Sequence, residues 1–354
     1  MMEEKKIRKS NLNKLFEELL KNNNRIFAPV EKDDYFCFAE IQSPDTCKFE
    51  GYRNTKISPK EMFFPQTEVL YGFRNHELEE NSKKPADNKQ QKSVIFGVRP
   101  CDAQAISFLD KVFKEEEKKD FIDPYYQEKR EKTTVISLTC NKPLISCFCT
   151  SVNGRPDGEY GADVSFCDLG EDFLARPITE KGVEFIKGSG KWFENAKKSD
   201  VDKRNKIVQE STKKINSHVK TEKIKEKLDK SFKADFWNEI QQKCLGCGVC
   251  TFLCPTCHCF DITDEVETGL EALTLSGGKR MRCWDSCMYP LFTLHASGHN
   301  PRLKYKERMR QRVMHKFNYC PQNFKEMFCV GCGRCVRDCP VNLDIREVLK
   351  IANG

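Results

Sequence analysis

Apolar residues recur at two different spacings along this chain, and the spacing changes from region to region. Within residues 1–25 they recur every three or four positions, which predicts an amphipathic helix. The same spacing predicts a helix at 103–113. Apolar runs rich in β-branched and aromatic residues predict strands at 26–29, 35–41, 69–73, 93–98 and 133–138, and a hairpin at 163–167 and 171–177. These patterns predict a mixed α/β first half.

Charged residues replace this pattern over 190–235, where both signs are interspersed. Such a stretch is typical of a solvated helix or linker. Helical spacing then returns around 288–296 and 305–316. We therefore expect an α+β protein with three parts: an N-terminal mixed α/β domain at 1–190, a charged helical connector at 191–234, and an α-helical domain at 235–354.

One cysteine pattern occurs twice in the last part. Residues 244–255 and 329–340 both follow C-x2-C-x2-C-x3-C-P, the pattern with which bacterial ferredoxins bind [4Fe–4S] clusters. The long segment between the motifs, 255–328, favours an α-helical ferredoxin over the compact kind. Structural zinc is the alternative, but zinc sites usually use C-x2-C pairs rather than such triplets.

The fourth cysteine of each motif is expected to cross to the other cluster. In two-cluster ferredoxins, three cysteines surround one cluster and the fourth ligates its neighbour. The predicted ligands are Cys244, Cys247, Cys250 and Cys339 for the first cluster, and Cys329, Cys332, Cys335 and Cys254 for the second. Two basic residues of the second motif, Arg334 and Arg337, are expected to be exposed, where they raise the cluster potential or guide docking.

Composition narrows the setting of these sites. The chain has 354 residues, 20 cysteines and a net charge of +7, which is enough length for about two domains. It shows no apolar signal segment or membrane span, and its basic residues are not interleaved with aromatics. We expect a cytoplasmic protein that binds neither membrane nor nucleic acid. Its cysteines are then metal ligands or free thiols rather than disulfides.

Four cysteines of the first half form a second group of interest: Cys101, Cys140, Cys147 and Cys149. Cys101 lies at a predicted strand-to-helix junction, where N–H groups and the helix dipole stabilise a thiolate. Three interpretations stay open. The four bind a third [4Fe–4S] cluster, or they are buried free thiols, or Cys101 is a redox-active or substrate-binding thiol.

Another four cysteines follow the first motif, at Cys257, Cys259, Cys283 and Cys287. They either form one more metal site or pack around the clusters and tune their potentials. No G-x-G-x-x-G follows a predicted strand, so we expect no flavin or nucleotide in this chain. No hydrolase motif or other catalytic residue is predicted.

Several longer stretches resemble a known family. They lie at 63–68, 97–106, 147–151, 254–261, 284–287, 298–302 and 315–317. With the paired motifs, these stretches are similar to the β subunit of soluble group 3 NiFe hydrogenases (sulfhydrogenases) and to the [4Fe–4S] dicluster subunit of anaerobic sulfite reductases. R-P-C-D at 99–102 and C-F-C-T-S at 147–151 carry more of this resemblance than the common ferredoxin motifs do.

The resemblance implies a non-catalytic electron-transfer subunit. Its partners would be a flavin subunit that reacts with NAD(P)H or ferredoxin, and a catalytic NiFe hydrogenase or sirohaem sulfite reductase subunit. Family members have cysteines at the positions of Cys101, Cys140, Cys147 and Cys149, which implies a third cluster. A different hypothesis is that this protein is a sulfur- or disulfide-reducing enzyme subunit that uses Cys101, or Cys257 and Cys259, at a cluster.

Overall fold

The computed structural model describes residues 3–74, 77–79, 91–114, 122–266 and 277–354. Its strands are β1 (Lys5–Arg8), β2 (Arg25–Lys32), β3 (Tyr35–Ile41), β4 (Thr67–Arg74), β5 (Glu77–Glu79), β6 (Ser93–Val98), β7 (Thr133–Leu138), β8 (Val164–Asp168), β9 (Asp172–Pro177), β10 (Glu194–Asn195), β11 (Phe260–Val266) and β12 (Gly277–Trp284). Its α-helices are α1 (Lys9–Lys21), α2 (Pro100–Phe113), α3 (Pro124–Lys132), α4 (Glu180–Gly188), α5 (Lys198–Lys213), α6 (Ile224–Lys230), α7 (Phe236–Lys243), α8 (Val249–Phe252), α9 (Tyr305–Met314), α10 (Cys320–Phe324), α11 (Arg334–Arg337) and α12 (Ile345–Asn353).

An eight-stranded sheet organises the first half. Its strand order is β10-β1-β9-β8-β7-β6-β2-β3. The four central strands β2, β6, β7 and β8 are parallel, and the outer strands are antiparallel. Parallel strands are apolar on both sides and need helices on both faces. The predicted strands at 35–41, 93–98 and 133–138 are confirmed with the same bounds.

Helices pack on both faces of this sheet. On one face, Leu12 and Phe16 of α1 and Ile186 of α4 are buried against the strands. On the other face, Ile106 of α2 and Tyr126 of α3 are buried. Each face of the sheet therefore has its own apolar core, as in a three-layer α/β arrangement.

The N-terminal segment differs from the prediction of a single helix over 1–25. Residues Lys5–Arg8 form β1, which pairs with β9 and β10, and the helix begins only at Lys9. The reason is tertiary: Ile7 is fully buried in the core when it lies in the sheet. A local helical spacing does not reveal that strand partner.

The helical part of the second half has a core of its own. Leu228 of α6, Trp237 of α7, Val313 of α9 and Leu349 of α12 are buried together. The charged connector contains α5 and α6, but its first residues form β10, which pairs with β1. The helix α6 packs into this core and is not a solvated linker. A five-residue π-helix, His315–Tyr319, continues α9.

The second half is not purely helical, which corrects part of the predicted fold. Between the two cysteine motifs, β11 and β12 form an antiparallel hairpin, and β12 pairs with β4 of the first half. The predicted helix at 288–296 is only a 3-10 turn at Pro290–Thr293. The four-stranded sheet β11-β12-β4-β5 thus joins both halves of the chain.

A buried arginine in β12 explains why the sequence pattern did not predict this hairpin. Arg282 of β12 is 3% exposed, and its guanidinium pairs with Glu68 at 2.5 Å and with Asp123. It also lies over the ring of Phe64. The partners that make the burial of Arg282 favourable lie about 160 to 210 residues away in the chain. Without them, the charged residues of this strand look like surface residues.

No helix within the described ranges is both long and apolar enough to cross a membrane.

We predict that Arg282→Ala destabilises the protein by about 3 kcal/mol, the lower end of the range for a broken buried ion pair. The change removes the buried cation that Glu68 and Asp123 share, and leaves only the partly exposed Lys129 beside Glu68. Arg280→Ala is the matched control on the same strand. Arg280 pairs with Asp264, both side chains are more than a third exposed, and such pairs contribute about 0–1 kcal/mol. Anaerobic urea unfolding followed by circular dichroism measures both. Equal midpoints for the two variants would contradict the role of the buried pair.

Candidate metal centres

The two cysteine motifs adopt the same local fold. Each begins with a loop that ends in a short helix, α8 or α11, and each has two glycines with positive φ. The φ values are +67° at Gly246, +76° at Gly248, +61° at Gly331 and +73° at Gly333. A Cβ at Gly331 would lie 2.5 Å from the backbone nitrogen of Cys149. Glycine is needed there for both the backbone angle and the space.

Cavity I brings together cysteines from both motifs. Its lining includes Cys244, Cys247, Cys250 and Cys339, which is the ligand set predicted for the first cluster. Met288 and Met309 line it as well. The fourth cysteine of the second motif therefore lies beside the first three cysteines of the first motif.

Cavity II lies next to cavity I. Its lining includes Cys254, Cys329, Cys332 and Cys335, the set predicted for the second cluster. Two buried cations, Arg312 and Lys316, also line it. Both crossings of the cysteine motifs are thus present in the structure.

Cavity III lies in the first half, and the sheet positions it. Its lining includes Cys101, Cys140, Cys147 and Cys149, the four candidates for a third cluster. Cys101 is in the first turn of α2, just after β6, and Cys140 follows β7. The carboxyl ends of neighbouring parallel strands form the usual ligand crevice of an α/β sheet.

The three cavities form a row, because neighbours share lining residues. Cavities I and II share Arg312, Cys335 and Ile345. Cavities II and III share Gly331 and Cys332. Cavity II is therefore in the middle.

Backbone contacts hold cavities II and III together. The N–H of Phe148 donates to the carbonyl of Gly331 at 2.9 Å. The thiol of Cys147 donates to the carbonyl of Cys332 at 3.8 Å. The loop of the second motif is thus packed directly on the 147–149 loop of the first half.

A buried ion pair strengthens the same junction. Arg334 of the second motif and Asp102 of α2 are both fully buried, and their side chains approach to 2.6 Å. The guanidinium also donates to the carbonyl of Thr55 and the side chain of Asn54. The expectation that Arg334 is exposed is wrong, because its charge partner lies 232 residues away in the chain.

The space between the cysteines suits a cluster rather than a single ion. In tetrahedral zinc sites, sulfurs lie within about 4 Å of one another, given Zn–S bonds near 2.3 Å. In the described part of the chain, no three Cys, His, Asp or Glu side chains are grouped as ligands of one metal ion. The four cysteines of each cavity line a common hollow, and the repeated motif spacing is the one that binds [4Fe–4S] clusters.

Burial makes these thiols depend on a bound cation. It raises the pKa of Cys147, Cys149 and Cys329 to about 12, and that of Cys332 to about 11. Such thiols keep their protons at neutral pH unless a metal displaces them. Thiolates at these four positions would therefore be stable only as metal ligands.

Buried cations beside the cavities have few anionic partners among the described residues. Lys316 donates to Cys254 Sγ at 3.1 Å and to the carbonyl of Phe328 at 3.0 Å. Burial alone would lower the pKa of Lys316, but the sulfurs of Cys254 and Cys257 hold it well above its usual range. Within the described residues, sulfur rather than a carboxylate matches its charge.

Arg99 is a buried cation of the same kind beside cavity III. Its guanidinium is 6% exposed and donates to backbone carbonyls, among them Thr139 at 2.8 Å and Arg53 at 2.7 Å. Two hydroxyls flanking the cavity cysteines, those of Ser146 and Thr150, are buried without a partner within the described residues. Unpaired hydroxyls and an arginine bonded to carbonyls suit an anionic, sulfur-rich group.

Sequence reasoning did not identify Arg99, Asp102, Arg312 and Lys316. Two stretches gave a signal: R-P-C-D places Arg99 and Asp102 beside Cys101, and the resembling stretch at 315–317 contains Lys316. Of the cysteines outside the three cavities, Cys283 lies on β12, opposite Asp261 of β11.

The end cavities approach the surface. Next to cavity I, Cys247 is exposed and the side chain of Leu245 is 61% exposed. Next to cavity III, Ile145 is 96% exposed. Exposed apolar residues beside the two ends of the row are candidate contacts for other proteins.

Comparison with known proteins agrees with this geometry. The model of a 4Fe-4S dicluster domain matches residues 243–343, a range that contains both motifs. Over 330 residues the chain is 31% identical to the sulfhydrogenase 2 subunit beta of Pyrococcus furiosus, covering 93% of this chain and 92% of that protein. The prediction of a ferredoxin-type iron–sulfur domain in the second half is confirmed.

We predict that Gly331→Ala lowers the iron bound per chain by more than half, because the new methyl group meets the backbone of Cys149 between cavities II and III. Gly170→Ala is the matched control. Gly170 also has a positive φ, +103°, but a Cβ there meets nothing within 4 Å. Its backbone strain of about 1–2 kcal/mol should leave iron content at the parent level. Anaerobic iron analysis measures both, and normal iron in Gly331→Ala would contradict the packing argument.

Proposed function

This chain belongs to the sulfhydrogenase β-subunit family, and we propose that it is the electron-relay subunit of a multisubunit hydrogenase. The row of three cysteine-lined cavities carries the proposal, because a relay needs several redox centres in close succession. Each cavity has four cysteines, and each shares lining residues with its neighbour. The match to a 4Fe-4S dicluster domain over residues 243–343 supports the iron–sulfur role, and the relative, aligned over 93% of this chain, supports the hydrogenase subunit.

The proposed ligands follow the cavities. Cavity I holds a [4Fe–4S] cluster on Cys244, Cys247, Cys250 and Cys339. Cavity II holds another on Cys254, Cys329, Cys332 and Cys335. Cavity III holds a third on Cys101, Cys140, Cys147 and Cys149. These clusters would supply one-electron transfer at low or moderate potential.

The protein contributes water exclusion and positive charge. Met288, Met309 and Ile345 line the first two cavities with apolar surface. Arg312 places buried positive charge at cavities I and II, and Lys316 adds a second charge at cavity II. Positive charge stabilises the more negative reduced state of a cluster and raises its potential.

The two ends of the row would face different partners. We propose that a flavin subunit reacting with NAD(P)H or ferredoxin docks at one end, and that the other end receives a catalytic NiFe subunit. The relative is named a sulfhydrogenase subunit, which favours a hydrogenase over a sulfite reductase. As a ligand in cavity III, Cys101 would not be a substrate-binding thiol.

Iron counting tests the number of centres. We predict about twelve irons per chain, four for each cluster, in protein purified anaerobically. Cys147→Ala should lose about four irons, because it removes one ligand of cavity III. Cys283→Ala, outside all three cavities, is the control and should keep them. Fewer than about eight irons in the parent protein would refute the relay, and an unchanged Cys147→Ala would remove the third centre.

Co-purification tests the partners. A tagged chain isolated anaerobically from its host should bring down a flavin subunit together with a NiFe subunit. We predict that Leu245→Asp and Ile145→Asp each lose a different one of these two, because each places a charge at one end of the row. Ile262→Asp, a half-exposed position on β11, is the control and should keep both. A sirohaem subunit in place of the NiFe subunit would overturn the hydrogenase assignment.

A further inference from the structure

Three cysteines outside the cavities, Cys257, Cys259 and Cys287, lie next to other sulfurs. Cys287 is buried in the apolar core of the second half, and Cys259 packs against the same core. The backbone N–H of Cys257 donates to the carbonyl of Cys254, a proposed ligand in cavity II, at 3.3 Å. These cysteines therefore lie beside the cavities without lining them.

The β11–β12 hairpin holds the pair, Cys259 and Cys287, in place. Cys259 precedes β11, and Cys287 comes three residues after the end of β12. Phe260 and Trp284 are paired at the open end of the hairpin, and the N–H of Asp285 donates to the carbonyl of Cys259 at 3.0 Å. The backbone hydrogen bonds of the hairpin therefore keep the segments that carry the two cysteines together.

A second contact fixes the Cys287 side against the first motif. The hydroxyl of Ser286 lies 2.7 Å from the hydroxyl of Thr251 in α8. Met288, the neighbour of Cys287, lines cavity I. Cys287 is thus next in the chain to a residue of cavity I, and Cys259 is two residues from Cys257, whose N–H bonds to the carbonyl of Cys254 in cavity II.

The surroundings of Cys259 favour its thiolate form. The hydrogen bonds from Cys287 lower the pKa of Cys259 to about 7, with further help from Lys316 and Lys60. Lys60 is 2% exposed, its ammonium donates to the carbonyl of Cys257 at 2.9 Å, and it lies 4.0 Å from the centre of the Trp284 ring. A thiolate next to a thiol is the arrangement from which disulfides form.

We propose that Cys259 and Cys287 form a reversible disulfide that holds two electrons beside the relay. Closing the S–S bond removes two electrons and the thiol proton of Cys287, together with that of Cys259 when it is protonated, and reopening the bond takes them back. The electrons are exchanged with the adjacent iron–sulfur centres, so this inference rests on the proposed function. The protons pass to and from water at Cys259, which is only partly buried. Such a pair would couple one-electron centres to a two-electron donor or acceptor.

Differential labelling of the intact protein tests this inference. Samples poised anaerobically between oxidising and reducing potentials are quenched in acid, alkylated with a first reagent, reduced, and alkylated with a second. We expect Cys259 and Cys287 to take the second label in oxidised protein and the first in reduced protein. The change should follow a two-electron curve, tenfold in ratio per about 30 mV. Cys283, the internal control, should take the first label throughout.

Cys287→Ser separates a disulfide from a metal ligand. In this variant Cys259 should take the first label at every potential, and iron content should match the parent. Loss of iron from Cys287→Ser, or first label on Cys259 and Cys287 in the oxidised parent, would overturn the proposal. Failure of the relay itself would show as low iron in the parent protein, which is a different result from either of these.

Discussion

The buried ion pair between Arg334 and Asp102 is the contact on which the arrangement of the cavities depends. Arg334 lies inside the second cysteine motif, and Asp102 follows Cys101 at the start of α2, so one pair joins cavity II to cavity III. Both side chains are shielded from water, and removal of either partner would leave an uncompensated charge at a cost of about 3–5 kcal/mol. Further bonds to Asn54 and Thr55 orient the guanidinium. The ion pair therefore determines the orientation of the motif and not only its proximity.

Two copies of one sequence motif have different environments in this structure. The first motif packs against the segment around Tyr289 and Tyr305 and keeps Cys247 exposed. The second packs on the first half of the chain, where Gly331 and Gly333 leave no room for a side chain. The same local turn therefore lies at one end of the row of cavities in the first motif, and in the middle of that row in the second motif. This difference supports the proposed electron relay with partners at its two ends over a freely diffusing electron carrier.

Positive charge in the interior follows the cysteines. Arg99, Arg312 and Lys316 are buried beside the cavities, and among the described residues they donate hydrogen bonds to carbonyls, a hydroxyl and sulfur. Burying an unmatched cation is costly, so these side chains indicate that the cavities carry negative charge when filled. Lys60 extends the same pattern to Cys257 and the Cys259 pair. Structural stability and redox tuning therefore depend on the same few contacts.

The cysteine spacing by itself determined the local turn of each motif and indicated the iron–sulfur chemistry, because these depend on residues within a dozen positions of one another. It also predicted that the fourth ligands cross, but only the packing of two distant segments brings each fourth cysteine to the other motif. Apolar runs likewise determined the strands of the parallel sheet. Tertiary structure alone decided the rest. Arg282 and Arg334 look like surface residues in the sequence, and only partners more than 150 residues away make their burial favourable. The same long-range packing places cavity III beside cavity II and brings Cys259 to Cys287. Such contacts depend on how distant segments share a low-dielectric interior, and no local pattern encodes that.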